Sequence, residues 1–489
     1  PYQIRPGAKT LIIGPGGGWD VARALAGGSR DVTGVEINPI IANTVMRERF
    51  AHLSNRLYHR PDVHIHVMDG RSWVRQSTDR FQVLQLTLVD TWASTAAGAF
   101  ALSENNLYTS DAFYDYLSHL TPDGFLAFTR WGFDPPRESL RLLTLADTAL
   151  AKLKPGGNLR DHVIIVREGS TQGWGAKDTV LISREPFTPQ DLERTRLIAR
   201  ESGMEMVFLP GDPVRNAFGE YLSSTDKPAF LERYQYDVRS LDDNRPFFFY
   251  TVQPRDLWAF LTQAAKDSAD YKINRAVPLL FGLMIVSLIA VAVILVLPPL
   301  LLKISLPKEG GTQLFLLYFL SIGIGYILVQ VTLIQKFVLF LGHPTYALTV
   351  VIFSMLVASG LGSFFSRRLK VDPIVAALII GATSFALAPV LSHVEWPWEL
   401  KVLATVALIA PSAFCMGMPF PQGLRWLEER SSSAVRWAWS INAAASVLGS
   451  ASAIFLSIYL GIQNTLLVAV GCYLAAGFLL RLSELRAAK

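Results

Sequence analysis

Residues Leu11–Asp20 read LIIGPGGGWD, an apolar run that breaks into glycines. The apolar run predicts a buried parallel strand, and the spacing of Val21, Ala24 and Leu25 after the glycines is that of a helix. Glycine lets the backbone approach a ligand closely, and the first turn of a helix attracts anionic groups. The stretch therefore predicts a strand, a phosphate-type loop and a helix, which together form a cradle for a nucleotide.

The spacing of the glycines favours one class of nucleotide. Gly14, Gly16 and Gly18 form a GxGxG pattern, whereas the dinucleotide fingerprint GxGxxG requires a glycine where Trp19 stands. The second predicted strand, 31–35, ends at Glu36, whose carboxylate can accept hydrogen bonds from two ribose hydroxyls. A glycine loop with an acid at the end of the next strand is a more specific signal of nucleotide binding than the loop alone.

Predicted strands and helices alternate along the N-terminal half, which indicates a doubly wound, mainly parallel α/β sheet. Ligands of such sheets lie outside the carboxyl ends of the strands, so Glu36, Asp69 and the residues after the fourth strand are expected to share one crevice. Asp69 is placed to accept a hydrogen bond from an adenine amino group. The alternative is an Asx turn that closes the third strand.

Acidic and aromatic residues follow the fourth and fifth predicted strands. Asp90, Trp92, Tyr108 and Trp131 are expected to form a pocket suited to a cation or a flat ring. The alternative is that the aromatic side chains belong to the core and that Asp90 caps a turn.

The segments LIIGPGGGWDVARAL, GVEINP, MDGRSW and NLYTSDAFYDYLSHLTPDGFLAF resemble the spermidine synthase (polyamine aminopropyltransferase) branch of the class I methyltransferase fold, over residues 8–130. The resemblance implies a Rossmann-like sheet, completed by strands at 162–167 and 179–183, and S-adenosylmethionine or its decarboxylated form as cofactor. Three glycines would line the cofactor loop, a glutamate would hold the ribose and an aspartate the adenine. The corresponding cofactor-binding residues here are Gly14, Gly16, Gly18, Glu36, Asp69 and Gly70.

One position departs from the family. Spermidine synthases follow the fourth strand with an acidic loop whose first aspartate deprotonates the attacking amine, but here the loop reads Thr87-Leu88-Val89-Asp90. A threonine hydroxyl does not act as a base near neutral pH. The sequence therefore favours methyl transfer, which depends largely on proximity and alignment, with Asp90 and Tyr108 as candidate catalytic residues. The alternatives are an aminopropyltransferase with Asp90 as sole base, and a non-enzymatic transporter or complex subunit with a degenerate methyltransferase-like domain.

The C-terminal half has the composition of a membrane domain. Of the 489 residues 51% are hydrophobic and 17% charged, and charges become sparse after about residue 275. We expect a methyltransferase-like domain at 1–265 and a transmembrane domain at 266–489, in an integral protein of the bacterial inner membrane. Pairs of small residues, Ala358 with Gly362 and Ala445 with Gly449, predict close helix packing. The seven apolar segments are 277–301, 313–334, 345–365, 373–391, 400–420, 437–460 and 463–481.

The orientation in the membrane is open to two interpretations. With seven crossings, five Lys and Arg residues lie on the side of the soluble domain and eleven on the other side, which places the domain outside by the positive-inside rule. S-adenosylmethionine, however, is made and kept in the cytosol. We therefore expect a cytoplasmic domain, with the first apolar segment re-entrant; the alternative is an outward-facing domain that does not use the cofactor.

Two polar segments adjoin the apolar ones. Leu241–Tyr250 reads LDDNRPFFFY and is expected to dock its phenylalanines on the sheet or at the lipid interface; closure over a substrate is the alternative. Gln335–Tyr346 is expected to lie between two spans. Its lysine and histidine would line an intramembrane site or lie at the interface; the site residues considered are Gln330, Lys336, His343 and Asn442.

Other function classes are disfavoured by composition. Cys415 and Cys472 lie in apolar segments without metal-ligand spacing, so no metal site and no disulfide framework are expected. The net charge of +5 comes without a basic stripe interleaved with aromatics, so nucleic acid is not an expected partner. The expected partners are a small-molecule or lipid-like acceptor, the membrane, and an oligomer or membrane complex. Because the chain starts at Pro1 without a leader, we expect a fragment or a processed chain.

Overall fold

Eight strands of the N-terminal half pair in one sheet: β1 (Thr10–Ile13), β2 (Val32–Glu36), β3 (Val63–Val67), β4 (Phe81–Thr87), β5 (Leu120–Gly132), β6 (Val163–Glu168), β7 (Ala176–Ser183) and β8 (Glu205–Phe208). The order in the sheet is β3-β2-β1-β4-β5-β7-β6-β8. Strands β1 to β5 are parallel, whereas β7 is antiparallel to β5 and β6. This is the arrangement of a Rossmann-like class I methyltransferase domain with β8 added, so the predicted fold class is confirmed.

The continuous apolar runs form strands because both faces of the sheet are covered. In β1, Leu11 and Ile13 enter the core on one face, while Ile12 enters the core on the other face. The flanking helices are α1 (Trp19–Ala26), α2 (Ile40–Arg49), α3 (Gly70–Gln76), α4 (Ser110–Ser118), α5 (Glu138–Leu153), α6 (Pro189–Glu201), α7 (Ala217–Ser223) and α8 (Lys227–Arg233). The cores therefore fix the carboxyl ends of β1, β2 and β4 relative to one another.

Three features of the fold were not predicted from the sequence. The sheet has an eighth strand, because β8 pairs antiparallel with β6. Residues 121–124 lie at an irregularity inside β5, where the register with β4 shifts between Phe81 and Val83. Helix α2 has the wide π-type pattern, as its end shows: the Phe50 amide donates to the Val45 carbonyl at 2.9 Å.

The computed structural model describes residues 1–89, 104–171, 176–213, 216–256, 276–302, 312–369, 371–392 and 395–487. The chain divides into two compact units, Pro1–Val277 and Pro278–Lys489. The helices that follow the sheet are α9 (Ala276–Leu302), α10 (Thr312–Leu341), α11 (Pro344–Phe365), α12 (Pro373–Leu391), α13 (Trp398–Met416), α14 (Pro419–Glu428), α15 (Ser432–Leu460) and α16 (Ile462–Ala487).

The C-terminal unit is an all-helical bundle of membrane-spanning character. Six of its described helical stretches are long and apolar enough to cross a bilayer, and a further apolar stretch covers Leu280–Val293 within α9. The chain is thus an integral membrane protein. Helix α9 is continuous from Ala276 to Leu302, whereas a re-entrant segment within those residues would form a helical hairpin.

Small residues bring the helices of the bundle together, as predicted. A Cβ added at Gly362 would overlap the carbonyl oxygen of Phe414 on α13. A Cβ added at Gly449 would lie 3.3 Å from the Cα of Ile324 on α10. Close backbone contact of this kind increases van der Waals packing between membrane helices.

The expected connection at Gln335–Tyr346 is much shorter in the structure. Helix α10 runs on to Leu341, because the Gln335 side chain is buried and accepts a hydrogen bond from Ser457 Oγ at 3.1 Å. Gly342, at φ +78°, ends the helix. His343 then caps α11, its Nδ1 accepting from the Thr345 amide at 3.1 Å. His343 thus lies at a helix turn, and its position relative to the membrane interface stays a prediction.

Candidate functional site

The glycine loop between β1 and α1 is built of left-handed backbone. Gly14, Gly16 and Gly18 have φ values of +69°, +51° and +83°. A Cβ at Gly14 would lie 2.9 Å from Val89 Cγ1, and one at Gly18 would lie 2.5 Å from Leu57 Cδ2. Side chains are excluded at both positions by conformation and by space. The loop thus passes closely under its neighbours and leads into the N-terminus of α1.

Glu36, at the end of β2, is attached to this loop. It is buried, with 5% of its surface exposed; Oε2 accepts from the Gly16 amide at 3.1 Å and Oε1 accepts from the Asn38 amide at 3.0 Å. Tyr58 holds the other side of the loop, its hydroxyl donating to the Gly16 carbonyl at 2.8 Å. Burial, and secondarily the charge of Glu36, raise the pKa of Tyr58, which keeps it a neutral donor. A carboxylate has about four lone-pair sites, so Glu36 can accept from further hydroxyls.

Asp69 and Gly70 lie where β3 leads into α3. Asp69 caps α3, its Oδ1 accepting from the Ser72 amide at 2.8 Å. A Cβ at Gly70 would overlap Ile13 at the end of β1, so this glycine permits close packing of α3 on the sheet. The capping role matches the alternative considered for Asp69, and its contact with adenine stays a prediction.

The predicted acid-and-aromatic pocket is only partly described. Asp90 and Trp92 lie outside the described residues. Tyr108 is fully buried, and its ring stacks on Phe248 with centroids 4.5 Å apart. Its hydroxyl is 3.5 Å from the Val89 carbonyl, just before the position of Asp90. Tyr108 therefore occupies a core position, the alternative given for the aromatics, and its catalytic role stays a prediction.

A hydrogen-bonded chain at the end of β4 was missed by sequence reasoning. The Tyr2 hydroxyl donates to Gln85 Oε1. Gln85 Nε2 donates to Thr87 Oγ1 at 2.9 Å. Thr87 is in turn hydrogen-bonded to the carboxylate of Asp20, in the first turn of α1. The threonine hydroxyl is thus held between an amide donor and a carboxylate.

Asp20 is the buried acid of this site. It is 7% exposed, and burial raises its pKa, although Thr87 and the charge of Arg23 oppose the increase. Its Oδ1 has no hydrogen-bond partner in the described part of the chain. The sequence signal for Asp20 was its place directly after the glycine loop, in the first turn of a helix.

The acidic turn before the phenylalanine run is fastened to α3. Arg71, 1% exposed, donates from Nη1 and Nη2 to the two carboxylate oxygens of Asp243, and from Nε to Asp115 at 3.1 Å. Phe247, Phe248 and Phe249 are buried, the last two in the core of the sheet. The segment therefore docks on the sheet as predicted, and it positions the helix that follows Asp69.

A pocket of about 290 Å³ lies at the outer edge of the sheet, between β3 and α3. It contains none of the predicted cofactor residues; its lining is His66, Val67, Met68, Trp73, Gln76 and Ser77. Within the described ranges, no three His, Cys, Asp or Glu side chains are grouped in a way that would hold a metal ion.

Comparison with known proteins yields matches of fold only. No protein-family model matches the chain, and no curated protein matches it. A spermidine synthase in complex with the transition-state analogue AdoDATO is 17% identical, with a TM-score of 0.29, over 44% of this chain and 63% of that protein. The spermidine synthase of Thermotoga maritima is 18% identical, with a TM-score of 0.30, over 44% of this chain and 64% of that protein.

Methyltransferases also occur among the matches. A TehB-like SAM-dependent methyltransferase from Corynebacterium glutamicum is 16% identical, with a TM-score of 0.24, over 37% of this chain and 87% of that protein. The chain spans slightly less than two thirds of the length of the two spermidine synthases.

Proposed function

We propose that the N-terminal unit binds S-adenosylmethionine or its decarboxylated form and transfers a methyl group to a small or lipid-like acceptor. The observation that carries the proposal is the attachment of the buried Glu36 carboxylate to the loop amide of Gly16 at 3.1 Å. It joins a ribose acceptor to a glycine cradle at the carboxyl ends of adjacent parallel strands, where such sheets bind nucleotides. A side chain at Gly14 or Gly18 would overlap Val89 or Leu57, so the shape of the loop depends on glycine at both positions.

The residues at the end of β4 favour methyl transfer over aminopropyl transfer to an amine. The cofactor supplies an electrophilic carbon on sulfur and a neutral thioether leaving group. Thr87 accepts from Gln85 and is hydrogen-bonded to the Asp20 carboxylate, so it cannot serve as a base. Alignment of the acceptor with the methyl group then supplies most of the rate, and Asp90 orients or deprotonates the acceptor.

We place this unit on the cytosolic side of a bacterial inner membrane, because that is where the cofactor is available. Protease added to spheroplasts should then leave the N-terminal unit intact, whereas protease added to inverted vesicles should digest it. The reverse result would overturn the cytosolic placement and, with it, the supply of cofactor.

Calorimetry tests the cofactor site on the full chain in lipid nanodiscs. We expect binding of S-adenosylmethionine and a loss of about 10–100-fold in affinity in Glu36→Gln, because each hydrogen bond to a charged acceptor contributes about 1.5–3 kcal/mol. Glu48→Gln, the same change at an exposed position of α2, is the matched control and should bind normally.

Two outcomes would change the conclusion. Absence of binding by either cofactor would refute the transferase proposal and favour the alternative of a transporter or complex subunit. Binding of the decarboxylated form alone would replace methyl transfer by aminopropyl transfer, with Asp90 as the base.

A further inference from the structure

Exposed apolar side chains of the N-terminal unit are concentrated around the crevice. In the described part of that unit seven large apolar side chains are exposed; five of them follow the carboxyl ends of β1 and β2, and a sixth, Val67, is the last residue of β3. The seventh, Leu197, lies on α6. We name the six the apolar rim: Trp19, Ile37, Ile40, Phe50, Leu53 and Val67. Single exposed apolar residues are common, but these six follow or end three neighbouring strands, β3, β2 and β1, and a larger exposed apolar surface marks an interaction site.

The rim is held together by the glycine loop. The segment 37–60 begins beside Glu36 and ends where Tyr58 donates to the Gly16 carbonyl, so both of its ends are fastened to the loop. Leu57 packs against Gly18. Between these two anchors Leu53 is 75% exposed and Phe50 is 43% exposed. The segment therefore projects from the crevice with apolar side chains outward.

Arginine accompanies the aromatic side chains of the rim. The guanidinium of Arg23 lies 5.1 Å from the ring centroid of Trp19, which is 69% exposed. That of Arg49 lies 6.0 Å from the ring of Phe50. Of the four arginines in segment 37–60, Arg60 pairs with Asp62 and Arg47 donates to the Ile65 carbonyl, so the positive charge beside the rim comes from Arg23, Arg49 and Arg56. A surface with protruding aromatic and aliphatic side chains and an excess of arginine is complementary to the headgroups of anionic phospholipids.

We propose that the apolar rim docks on an anionic phospholipid bilayer, with Trp19, Phe50 and Leu53 among the headgroups and the arginines on the phosphates. A bilayer is chosen as the occupant because the same chain has six described helices that are long and apolar enough to span one. Aromatic residues with an apolar body are typical of the membrane interface. This docking is independent of the transferase activity, since it depends on the surface alone.

The test uses a fluorescent label on the full chain in nanodiscs. Leu53→Cys is made in a Cys415→Ala, Cys472→Ala background and labelled with an environment-sensitive dye. Leu197→Cys is the matched control, because Leu197 is also an exposed leucine but is not part of the rim. Leu197 is 50% exposed and Leu53 is 75% exposed. Spin-labelled lipids in the disc then report contact with the bilayer by quenching.

In discs with anionic lipid we expect the dye at position 53 to be quenched at least threefold more than the dye at position 197. Replacing Arg49 and Arg56 together by glutamine should reduce this difference, as should zwitterionic discs. Equal quenching at both positions would overturn the proposal. A blue-shifted but unquenched dye at position 53 would also overturn it, because a protein surface or a second copy would then cover the rim.

Discussion

Replacing Asp243 by asparagine tests whether the acidic turn holds the start of α3. Asparagine keeps the size of the side chain but removes the charge and one of the two acceptors facing Arg71. Thr109 also donates to this carboxylate, at 2.7 Å. The guanidinium of Arg71 would keep Asp115 as its remaining carboxylate partner. The turn itself can still form, so the effect reports the clamp between residues far apart in sequence.

The expected cost follows from the burial of the two partners. Leaving a buried charge without its partner costs about 3–5 kcal/mol. Here the cost is smaller, because Asp115 remains and because the Asp243 side chain is 33% exposed while that of Arg71 is 2% exposed. We expect about 2 kcal/mol, which lowers the melting temperature of a unit of this size by about 4–8 °C.

The assay combines thermal melting of the full chain in detergent with amide hydrogen exchange. Exchange should accelerate over α3 in Asp243→Asn and stay unchanged over β7, which lies elsewhere in the sheet. Asp242→Asn is the control, because Asp242 is exposed and accepts from the local amides of Asn244 and Arg245. If both variants melt within about 1 °C of the wild type, the clamp does not stabilise the unit.

The same clamp gives a pH dependence of known sign. Burial alone would raise the pKa of Asp243, but the charge and hydrogen bonds of Arg71, with that of Thr109, outweigh burial and hold this pKa below its usual value. The stabilisation is therefore complete above the unfolded pKa of about 3.9 and is lost as the pH falls towards the lower native value. The difference in melting temperature between wild type and Asp243→Asn should be constant above about pH 5 and narrow below pH 4.

Three further substitutions have defined outcomes. Gly18→Ala should lower the free energy of unfolding by about 2 kcal/mol and weaken cofactor binding in calorimetry, because φ is +83° and the added Cβ overlaps Leu57. Gly17→Ala, with open space around it, should change neither quantity. Asp20→Asn should raise the melting temperature at pH 7, because burial raises the pKa of Asp20 and ionisation of this acid therefore destabilises the native state. The melting temperature of the variant should also fall less than that of the wild type as the pH rises, and an unchanged pH profile would contradict this. Gly362→Ala should destabilise the bundle by about 1–3 kcal/mol in detergent unfolding, while Gly360→Ala, which also meets open space, should be neutral.

The first five strands were predictable because each is a buried apolar run that alternates with a helical pattern. The place of β8 in the sheet could not be predicted, because β8 pairs with β6 and no local pattern shows which strands become neighbours. The end of α10 was misplaced for a related reason. Gln335 and Lys336 are polar and suggested a connection, but Gln335 is satisfied by Ser457, which is 122 positions away along the chain. Long-range hydrogen bonds of this kind decide helix ends in a bundle without leaving a local signal.

In the candidate site, too, residues in a local sequence pattern could be predicted and long-range contacts could not. The glycines and Glu36 could be identified because a loop and an acid at the ends of successive strands form a local pattern. The link between Asp20 and Thr87 depends on the pairing of β1 with β4 and was invisible before the fold was known. The position of Tyr108 could not be predicted, because an aromatic residue after a strand can face the crevice or the core. Packing against Phe248 places Tyr108 in the core.

The departure at Thr87 and the apolar rim have a common consequence for the chemistry. A hydroxyl that is hydrogen-bonded to Asp20 offers no base, so a transferase built on this site depends on how often and how well an acceptor is aligned with the cofactor. Docking of the rim on lipid would confine a lipid-like acceptor to the layer from which the crevice opens, and confinement raises the effective concentration without new contacts. An acceptor dissolved in the cytosol gains nothing from such docking. If the rim docks on lipid as proposed, its position beside Glu36 and the glycine loop favours the lipid-like acceptor over the small soluble one.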